Sequence, residues 1–237
     1  MLQACLNGGR AKTEHSLIPC TPQELAADAR ATSVLGAAEF HIHPRGADGL
    51  ESLEPRDVAA ALQAVRASAP GAPIGLSTGA WIKPGGRARH ETIRAWTVLP
   101  DYVSVNLSED DAPEVIALAM EKGVGVEAGV ATVADARRLT TSPLAAKCLR
   151  VLIEINEQDA DEGLRAAGAI IAVLDEARLP LPRLLHGSDT TKWPLYRESL
   201  RLGLDARIGF EDGLRLPSGE IAASNAALIE AARAMTG

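Results

Sequence analysis

One pattern repeats along the whole chain: a short aliphatic run is followed by a stretch of Ala, Leu and Glu with helical period, at intervals of about 30 residues. Alternation of this kind is typical of a parallel sheet whose crossover connections are helices. The aliphatic runs predict eight strands, at residues 2–7, 39–43, 73–78, 102–107, 123–128, 149–155, 183–186 and 206–211. Eight strands with helices of matching length predict a closed (β/α)8 barrel, the TIM barrel of the α/β class.

Composition and charge limit what such a chain does. Its 237 residues, 46% of them hydrophobic, suffice for one large core and contain no linker, so we predict a single catalytic barrel domain over residues 1–237. The formal net charge of −7 comes without a basic stripe, which argues against nucleic acid and anionic membrane surfaces as partners. No apolar run approaches the ~18 residues that a membrane helix needs, and the first five residues lack a charged leader region. The sequence therefore predicts a cytoplasmic protein.

The three cysteines, Cys5, Cys20 and Cys148, are odd in number and widely spaced. They offer neither a disulfide framework nor a Cys-x-x-Cys metal or redox site. We therefore interpret them as buried free thiols.

Polar side chains stand at the carboxyl ends of the predicted strands, where a TIM barrel assembles its active site. A ring of carboxylates, imidazoles and amides around a barrel mouth is costly to desolvate unless a ligand binds there. The ring also includes Glu154. The candidate substrate-binding residues are Asn7, Ser77, Thr78, Ser104, Asn106, Glu127 and His186.

A His-x-His pair predicts a metal site within this ring. Along a strand, alternation places His41 and His43 on one face, with Phe40 and Ile42 on the other. Barrel closure makes Glu211 the natural third ligand, because two imidazoles and one carboxylate leave a coordination position open for substrate. We expect one divalent ion per chain, with zinc favoured by the imidazole ligands, although iron, manganese or cobalt would fit the same set.

Two charged neighbours of Glu211 are the candidate catalytic residues. Asp212 cannot share the direction of Glu211 on a regular strand, so we expect it to lie off the metal, where a carboxylate suits a general base. Arg207, four residues before Glu211, either orients a carboxylate or neutralises substrate charge. A salt bridge that only braces the barrel interior is the alternative for Arg207.

Several motifs appear in the order found in the β-keto acid cleavage enzymes. They are Asn7-Gly8, the segment from His15 to Thr21-Pro22-Gln23-Glu24, His41-Ile42-His43-Pro44-Arg45, Ser77-Thr78-Gly79, Ser104-Val105-Asn106, Arg207-Ile208-Gly209-Phe210-Glu211-Asp212 and Ser224-Asn225-Ala226. Over nearly its whole length the chain resembles this family, which includes 3-keto-5-aminohexanoate cleavage enzyme.

The resemblance implies a metal-dependent acyl transfer that breaks a carbon–carbon bond. A small β-keto acid and acetyl-CoA would give acetoacetate and a new acyl-CoA, with zinc stabilising the enolate and Asp212 moving protons. It implies that Arg207 sets the position and basicity of Asp212, and that Ser77, Thr78 and Ser104 contact the carboxylate end of the substrate. It also implies a homo-oligomer, either a dimer or a tetramer.

The chain departs from the family pattern at two places. Arg10 stands where the family tends to carry a Glu, and an acidic segment at residues 154–161 replaces the glycine-rich loop expected to help form the CoA pocket. Because carboxylates repel phosphates, the best local candidate for holding the CoA phosphates is instead the loop with Lys83, Arg87 and Arg89.

Two other functions remain open on the sequence. A metal-dependent hydrolase or aldolase acting on a small carboxylate would use the same ligands without CoA. A non-catalytic barrel that binds an anionic metabolite would keep the metal and Arg207 but have no use for Asp212.

Overall fold

The computed structural model of the protein describes residues 1–236, and these form a closed barrel of eight parallel strands in chain order. Helices alternate with the strands, which confirms the predicted (β/α)8 TIM barrel. The strands are β1 (Leu2–Cys5), β2 (Glu39–Ile42), β3 (Ile74–Ser77), β4 (Tyr102–Asn106), β5 (Gly125–Val130), β6 (Arg150–Ile155), β7 (Arg183–Gly187) and β8 (Asp205–Ile208). The helices are α1 (Pro22–Ser33), α2 (Pro55–Ser68), α3 (Ala88–Arg94), α4 (Ala112–Glu121), α5 (Val133–Thr140), α6 (Ala160–Glu176), α7 (Lys192–Leu202) and α8 (Asn225–Ala234), and a 3₁₀ turn, Ala145–Lys147, precedes β6.

Local sequence signals mark where helices begin. Thr21 caps α1 by accepting a hydrogen bond from the backbone N–H of Glu24, whose side chain accepts in return from the backbone N–H of Thr21. Pro22 occupies the first turn, where its missing N–H has no helical partner to lose. No helix within residues 1–236 has the length and the apolar character that crossing a membrane requires.

The outward-facing residues of the strands pack against the helices and form the apolar core. Phe40, Ile42 and Leu76 are fully buried in this layer between barrel and helices. The inward-facing residues of the same strands are largely polar, and His41 on β2 is an example. Since the apolar layer lies outside the barrel, the barrel interior is free to carry charged groups.

A buried polar network fills the barrel interior at the amino end of the strands. Arg150 forms ion pairs with Glu39 and, at 2.6 Å between Nε and Oε1, with Glu127. Gln3 donates to Glu39 and Glu127 at 2.8 and 3.1 Å, and its amide also lies 3.0 Å from the hydroxyl of Tyr102. Removing one partner of a buried ion pair typically costs about 3–5 kcal/mol, so these residues depend on one another.

The position of Glu127 corrects the prediction that it binds substrate at the rim. The sequence predicted β5 over residues 123–128, but the strand runs from Gly125 to Val130. Glu127 therefore lies inside the strand, paired with Arg150 in the barrel interior, and is fully buried.

Five strands, β1, β2, β3, β4 and β8, end earlier than predicted, and three of these differences change where the metal-site candidates and Asn7 lie. The first strand ends at Cys5, the second at Ile42 and the eighth at Ile208. Asn7, His43 and Glu211 consequently belong to the turns just beyond the strands. Side-chain directions are less constrained in turns than in strands, so these residues can point toward one place although they follow different strands.

Barrel closure depends on a close contact between the end of β8 and β1. A Cβ atom on Gly209 would lie 1.8 Å from the carbonyl oxygen of Cys5, closer than any real contact allows. Only glycine lets the two backbones approach at this point. The turn that follows Gly209 carries Glu211 and Asp212 across the mouth of the barrel.

Replacing Gly209 by Ala should therefore destabilise the fold by at least about 3 kcal/mol, because the extra methyl group forces the closing strands apart. Urea denaturation of the metal-free protein measures the change in the free energy of unfolding. The matched control is Gly168→Ala on α6, where a Cβ meets nothing within 4 Å and helix propensity predicts a gain of about 1 kcal/mol. Equal stability of the two variants would contradict this account of barrel closure.

Candidate functional site

Two histidines and one carboxylate converge at the carboxyl end of the barrel. The Nε2 atoms of His41 and His43 are 3.1 Å apart, and Oε1 of Glu211 lies 3.7 and 3.4 Å from them, respectively. One donor atom from each residue lies within 4.8 Å of the others. We call these three side chains the ligand cluster.

A buried amide holds His43 in place. The Asn7 side chain accepts from the backbone N–H of His43 at 2.9 Å and donates to its carbonyl oxygen at 2.8 Å. It also donates to the carbonyl oxygen of Pro19 at 3.0 Å. Both donors and the acceptor of its amide therefore serve the backbone, and Asn7 positions His43 of the ligand cluster.

The turn after β8 is organised around one guanidinium. Nη2 of Arg207 lies 2.8 Å from Oε1 of Glu211 and 2.6 Å from Oδ1 of Asp212. The thiol of Cys5, predicted only as a buried free thiol, donates to Oδ2 of Asp212 at 2.8 Å. The buried amide of Asn225 accepts from the backbone N–H of Phe210 at 2.6 Å and so fixes the turn itself.

The electrostatics of the site follow from burial and from Arg207. Burial lowers the pKa of His41 to about 3, so its imidazole is neutral. Burial alone would raise the pKa of Asp212, but Arg207 and then His186 outweigh it and lower the pKa to about 2. Burial would also raise the pKa of Glu211, and Arg207 and the histidines hold it well below its usual range. Both carboxylates are therefore ionised.

These residues fit a divalent cation. Oε2 of Glu211 and Nδ1 of His41 are buried without a hydrogen-bond partner in the structure. Burial disfavours charge on His43, yet Glu211 and Glu51 outweigh it and raise its pKa to about 9, so the surroundings favour positive charge at this point. Two imidazoles and one carboxylate are a known ligand set for zinc and for non-haem iron, and three protein ligands leave room for substrate.

A cavity of about 180 Å³ opens beside the ligand cluster, and we call it the mouth cavity. Three predicted substrate-binding residues line it: Ser77, Ser104 and Asn106. Arg207 also reaches its wall. Besides these and the ligand cluster, the lining consists of Gly9, Trp81, Leu152 and Glu154.

Two other predicted substrate-binding residues lie behind this wall. The hydroxyl of Thr78 donates to the carbonyl oxygen of Ser104 at 2.7 Å and so joins the ends of β3 and β4. His186 is buried with Nδ1 3.4 Å from Oδ1 of Asp212 and Nε2 4.0 Å from Oε2 of Glu154. Its imidazole therefore stands between the candidate base and a carboxylate of the mouth cavity.

Two residues that the structure places at the site are not among the candidates that the sequence indicates. Trp81 walls the mouth cavity, and Glu51 accepts a hydrogen bond from Nδ1 of His43 at 2.6 Å. An isolated tryptophan in a loop after a barrel strand was an available signal, since the whole chain has only three tryptophans. Glu51 follows His43 by eight residues inside a loop, and no periodicity marks such a position.

The cations expected to hold CoA phosphates are already paired with carboxylates. Lys83 binds Asp48 at 2.5 Å, and Arg87 binds Glu114 at 3.1 Å. Arg89 is buried between Glu109 and Asp111 and is not available to a ligand. Arg89 therefore cannot hold a phosphate as expected, whereas Lys83 and Arg87 form exposed ion pairs, which are weak.

Solved structures resemble the fold at low sequence identity. ObcA in binary complex with oxaloacetate has a TM-score of 0.71 and 17% identity, and the match covers 92% of this chain and 63% of that one. A ternary complex of ObcA with a C4-CoA adduct and oxalate has a TM-score of 0.69, 17% identity, and coverage of 92% and 63%. The 3-dehydroquinate dehydratase from Aquifex aeolicus VF5 has a TM-score of 0.62 and 12% identity over 99% of this chain and 98% of that one. At such identities the likeness concerns the fold.

The chain spans 61–63% of the length of the ObcA structures that it matches. No curated protein matches its sequence. The family model described as β-keto acid cleavage enzyme matches residues 1–136 and 182–237. The interval between these ranges contains β6 and α6 and supplies Leu152 and Glu154 to the mouth cavity. The matched ranges contain the whole ligand cluster and make up well over half of the sequence, and the chain belongs to the β-keto acid cleavage enzyme family.

Proposed function

We propose that this protein cleaves a small β-keto acid by metal-dependent acyl transfer to acetyl-CoA. In this reaction R–CO–CH₂–COO⁻ and acetyl-CoA give acetoacetate and the CoA thioester of R–COOH. The new carbon–carbon bond joins the CH₂ carbon of the keto acid to the carbonyl carbon of the acetyl group, and the bond between R–CO and CH₂ breaks. The acyl group R–CO is transferred to the thiol of CoA.

One observation carries the proposal: the ligand cluster borders a small cavity that also presents two hydroxyls, an amide and the guanidinium of Arg207. Ser77, Ser104 and Asn106 offer hydrogen bonds to the carboxylate and keto oxygens of a substrate of this class. Family membership supports the same reaction type. The complexes of ObcA with oxaloacetate and with a CoA adduct support a keto acid and CoA as ligands.

His41, His43 and Glu211 would hold the metal, for which zinc is our proposal. The ion would supply a Lewis acid for the keto and carboxylate oxygens of the substrate. Two neutral imidazoles and one carboxylate leave part of its charge uncompensated, which suits that task. The same three residues border the mouth cavity, so a substrate that enters it meets them directly.

Asp212 and Arg207 have separate duties in the proposal. Oδ1 or Oδ2 of Asp212 accepts the proton from the CH₂ group, because an ionised carboxylate is the form able to do so. Arg207 keeps this carboxylate ionised and oriented through its 2.6 Å contact, and its place in the cavity wall lets it face the substrate carboxylate.

A second candidate function omits CoA. The segment after β6 carries Glu157, Asp159 and Asp161, and the exposed cations Lys83 and Arg87 each have a carboxylate partner. A metal-dependent hydrolase or aldolase that uses the same ligands on a keto acid needs no phosphate-binding site. These observations favour it as the alternative.

The experiment that tests the proposal supplies acetyl-CoA with both acetyl carbons labelled with ¹³C, together with a panel of β-keto acids. Acyl transfer predicts acetoacetate labelled at its methyl and keto carbons, with one equivalent of new acyl-CoA, as measured by NMR and mass spectrometry. Replacing acetyl-CoA by free CoA is the control and should abolish acetoacetate. Turnover of a keto acid that does not depend on acetyl-CoA would support the hydrolase or aldolase instead.

The ligand cluster predicts about one divalent metal ion per chain. Elemental analysis after exhaustive dialysis measures the metal content, and replacing His41 and His43 together by Ala should remove it because the remaining carboxylate binds weakly. The matched control is His90→Ala on α3, where the imidazole pairs with Asp111 instead. Full metal content in a folded double variant would show that the ion binds elsewhere.

The two neighbouring carboxylates should respond differently to loss of charge. Asp212→Asn should keep the metal and lower kcat by about 10² to 10⁴, roughly 3–5 kcal/mol in barrier, because a positioned base is removed. Glu211→Gln should instead weaken metal retention. Metal content and kcat are measured on both variants, and equal metal loss in the two would reverse or remove these assignments.

A further inference from the structure

One carboxylate serves two hydrogen-bond donors at the edge of the site. Oε1 of Glu51 lies 2.6 Å from Nδ1 of His43, and the indole N–H of Trp81 donates to both carboxylate oxygens, at 3.3 and 3.2 Å. His43 belongs to the ligand cluster and Trp81 to the wall of the mouth cavity. The side chain of Glu51 is itself only 15% exposed, so water competes little for these bonds.

The backbone around Glu51 holds the carboxylate where both donors reach it. The loop between β2 and α2 folds back on itself, with a bridge between Arg45 and Glu51. The N–H of Gly46 donates to Leu50 and the N–H of Ser52 to Pro44, each at 2.9 Å. A loop fixed on both sides of Glu51 returns this residue to the side of His43.

The loop that carries Trp81 is tied to the same place. The indole lies directly over Gly79, where a Cβ would come within 2.3 Å of the ring. The N–H of Ala80 donates to a carboxylate oxygen of Glu109 at 2.8 Å. Farther along, the N–H of Leu53 donates to the carbonyl oxygen of Lys83 at 2.9 Å, which joins this loop to the one that carries Glu51.

We propose that Glu51 is a positioning residue that holds a metal ligand and the wall of the substrate cavity together, by accepting from His43 and Trp81 at once. This inference rests on the metal site of the proposed function. The inference is drawn from the contacts of the Glu51 and Trp81 side chains in this structure and not from the family match.

The physical reason lies in the two nitrogens of the imidazole. A carboxylate is only an acceptor, so the proton of the bond to Glu51 resides on Nδ1 of His43. In the neutral imidazole that binds a metal, Nε2, the atom that faces the ligand cluster, then carries the lone pair a metal requires. Carboxylates that orient ligating histidines in this way typically contribute a factor of 10 to 100 to metal affinity. The second bond places the indole against the cavity that the metal borders.

Two variants of Glu51 test the metal half of the proposal. Glu51→Gln keeps the size but leaves one acceptor oxygen for two donors, and Glu51→Asp keeps the charge but shortens the reach. Both should raise the Kd for Zn²⁺ about 10- to 100-fold, as measured by competition with a chromophoric chelator. Glu54→Gln, an exposed glutamate in the same loop without a side-chain capping bond, is the matched control and should leave the Kd unchanged.

Tryptophan fluorescence tests the second contact of the proposal, between Glu51 and the indole of Trp81. Trp81 is 59% exposed, whereas Trp96 and Trp193 are 3% and 7% exposed, so acrylamide quenches mainly Trp81. Glu51→Gln should increase the quenching constant, because the indole loses an acceptor, and Glu54→Gln should not. Trp81→Phe removes this quenchable emission and should leave the Kd for Zn²⁺ within about twofold of wild type, since the bond between His43 and Glu51 stays.

The outcomes separate this inference from the proposed function. A wild-type protein that binds Zn²⁺ while both Glu51 variants match its Kd would overturn the inference and leave the metal site standing. If Glu51→Asp alone kept the wild-type Kd for Zn²⁺, the negative charge of Glu51 and not its hydrogen-bond geometry would matter, and this result would also overturn the inference. A wild-type protein without any zinc affinity would overturn both. A nitrogen-15 spectrum of the zinc-loaded protein adds a direct readout, in which the Nδ1–H signal of His43 shifts in Glu51→Gln.

Discussion

The site of this protein depends on the closing of the barrel between β1 and β8. Gly209 lies against the backbone of Cys5, and the turn that follows it crosses the barrel mouth. Glu211 thereby meets His41 and His43, which come from near the start of the chain. A barrel that failed to close would leave two imidazoles at one strand end without the carboxylate that completes the set. The same contact places the thiol of Cys5 beside Asp212.

Buried charge is balanced separately at the two ends of the barrel interior. At the amino end Arg150 lies between Glu39 and Glu127, and at the carboxyl end Arg207 lies between Glu211 and Asp212. Each cluster holds more carboxylate than guanidinium. Burying such groups is expensive, and apolar residues of similar volume would often give equal or greater stability. Stability therefore does not explain the cluster at the mouth, whereas its excess of carboxylate over guanidinium suits the binding of a cation.

The parts of the site divide into those the chain shares with its family and those that are its own. The ligand cluster and Ser77 lie in the matched ranges, whereas Leu152 and Glu154 lie in the interval that the family model leaves out. This interval also carries the acidic segment after β6. The end of the cavity at the ligand cluster thus lies in the ranges that match the family, and the end that faces β6 lies in residues that the family model does not match.

The sequence alone determined the barrel, because the alternation of aliphatic and helical stretches has a period that only a βα repeat explains. It also determined the ligand cluster, since His41 and His43 share a strand face and closure leaves Glu211 as their natural partner. It misplaced Glu127 and Asn7 relative to the ends of their strands, because one strand is shifted by two residues and another ends two residues early. Such shifts exchange a rim position for a buried one, and local patterns do not resolve them.

Only the tertiary structure decided what the loops contribute. The contacts of Glu51 with His43 and Trp81 arise where two loops fold back over the barrel, and no spacing rule connects their positions. The same holds for Arg89, whose charge suggested a ligand site in the sequence but which is buried between Glu109 and Asp111 in the structure. Periodicity carries information about strands and helices, whereas a contact between loops depends on backbone paths that packing alone selects.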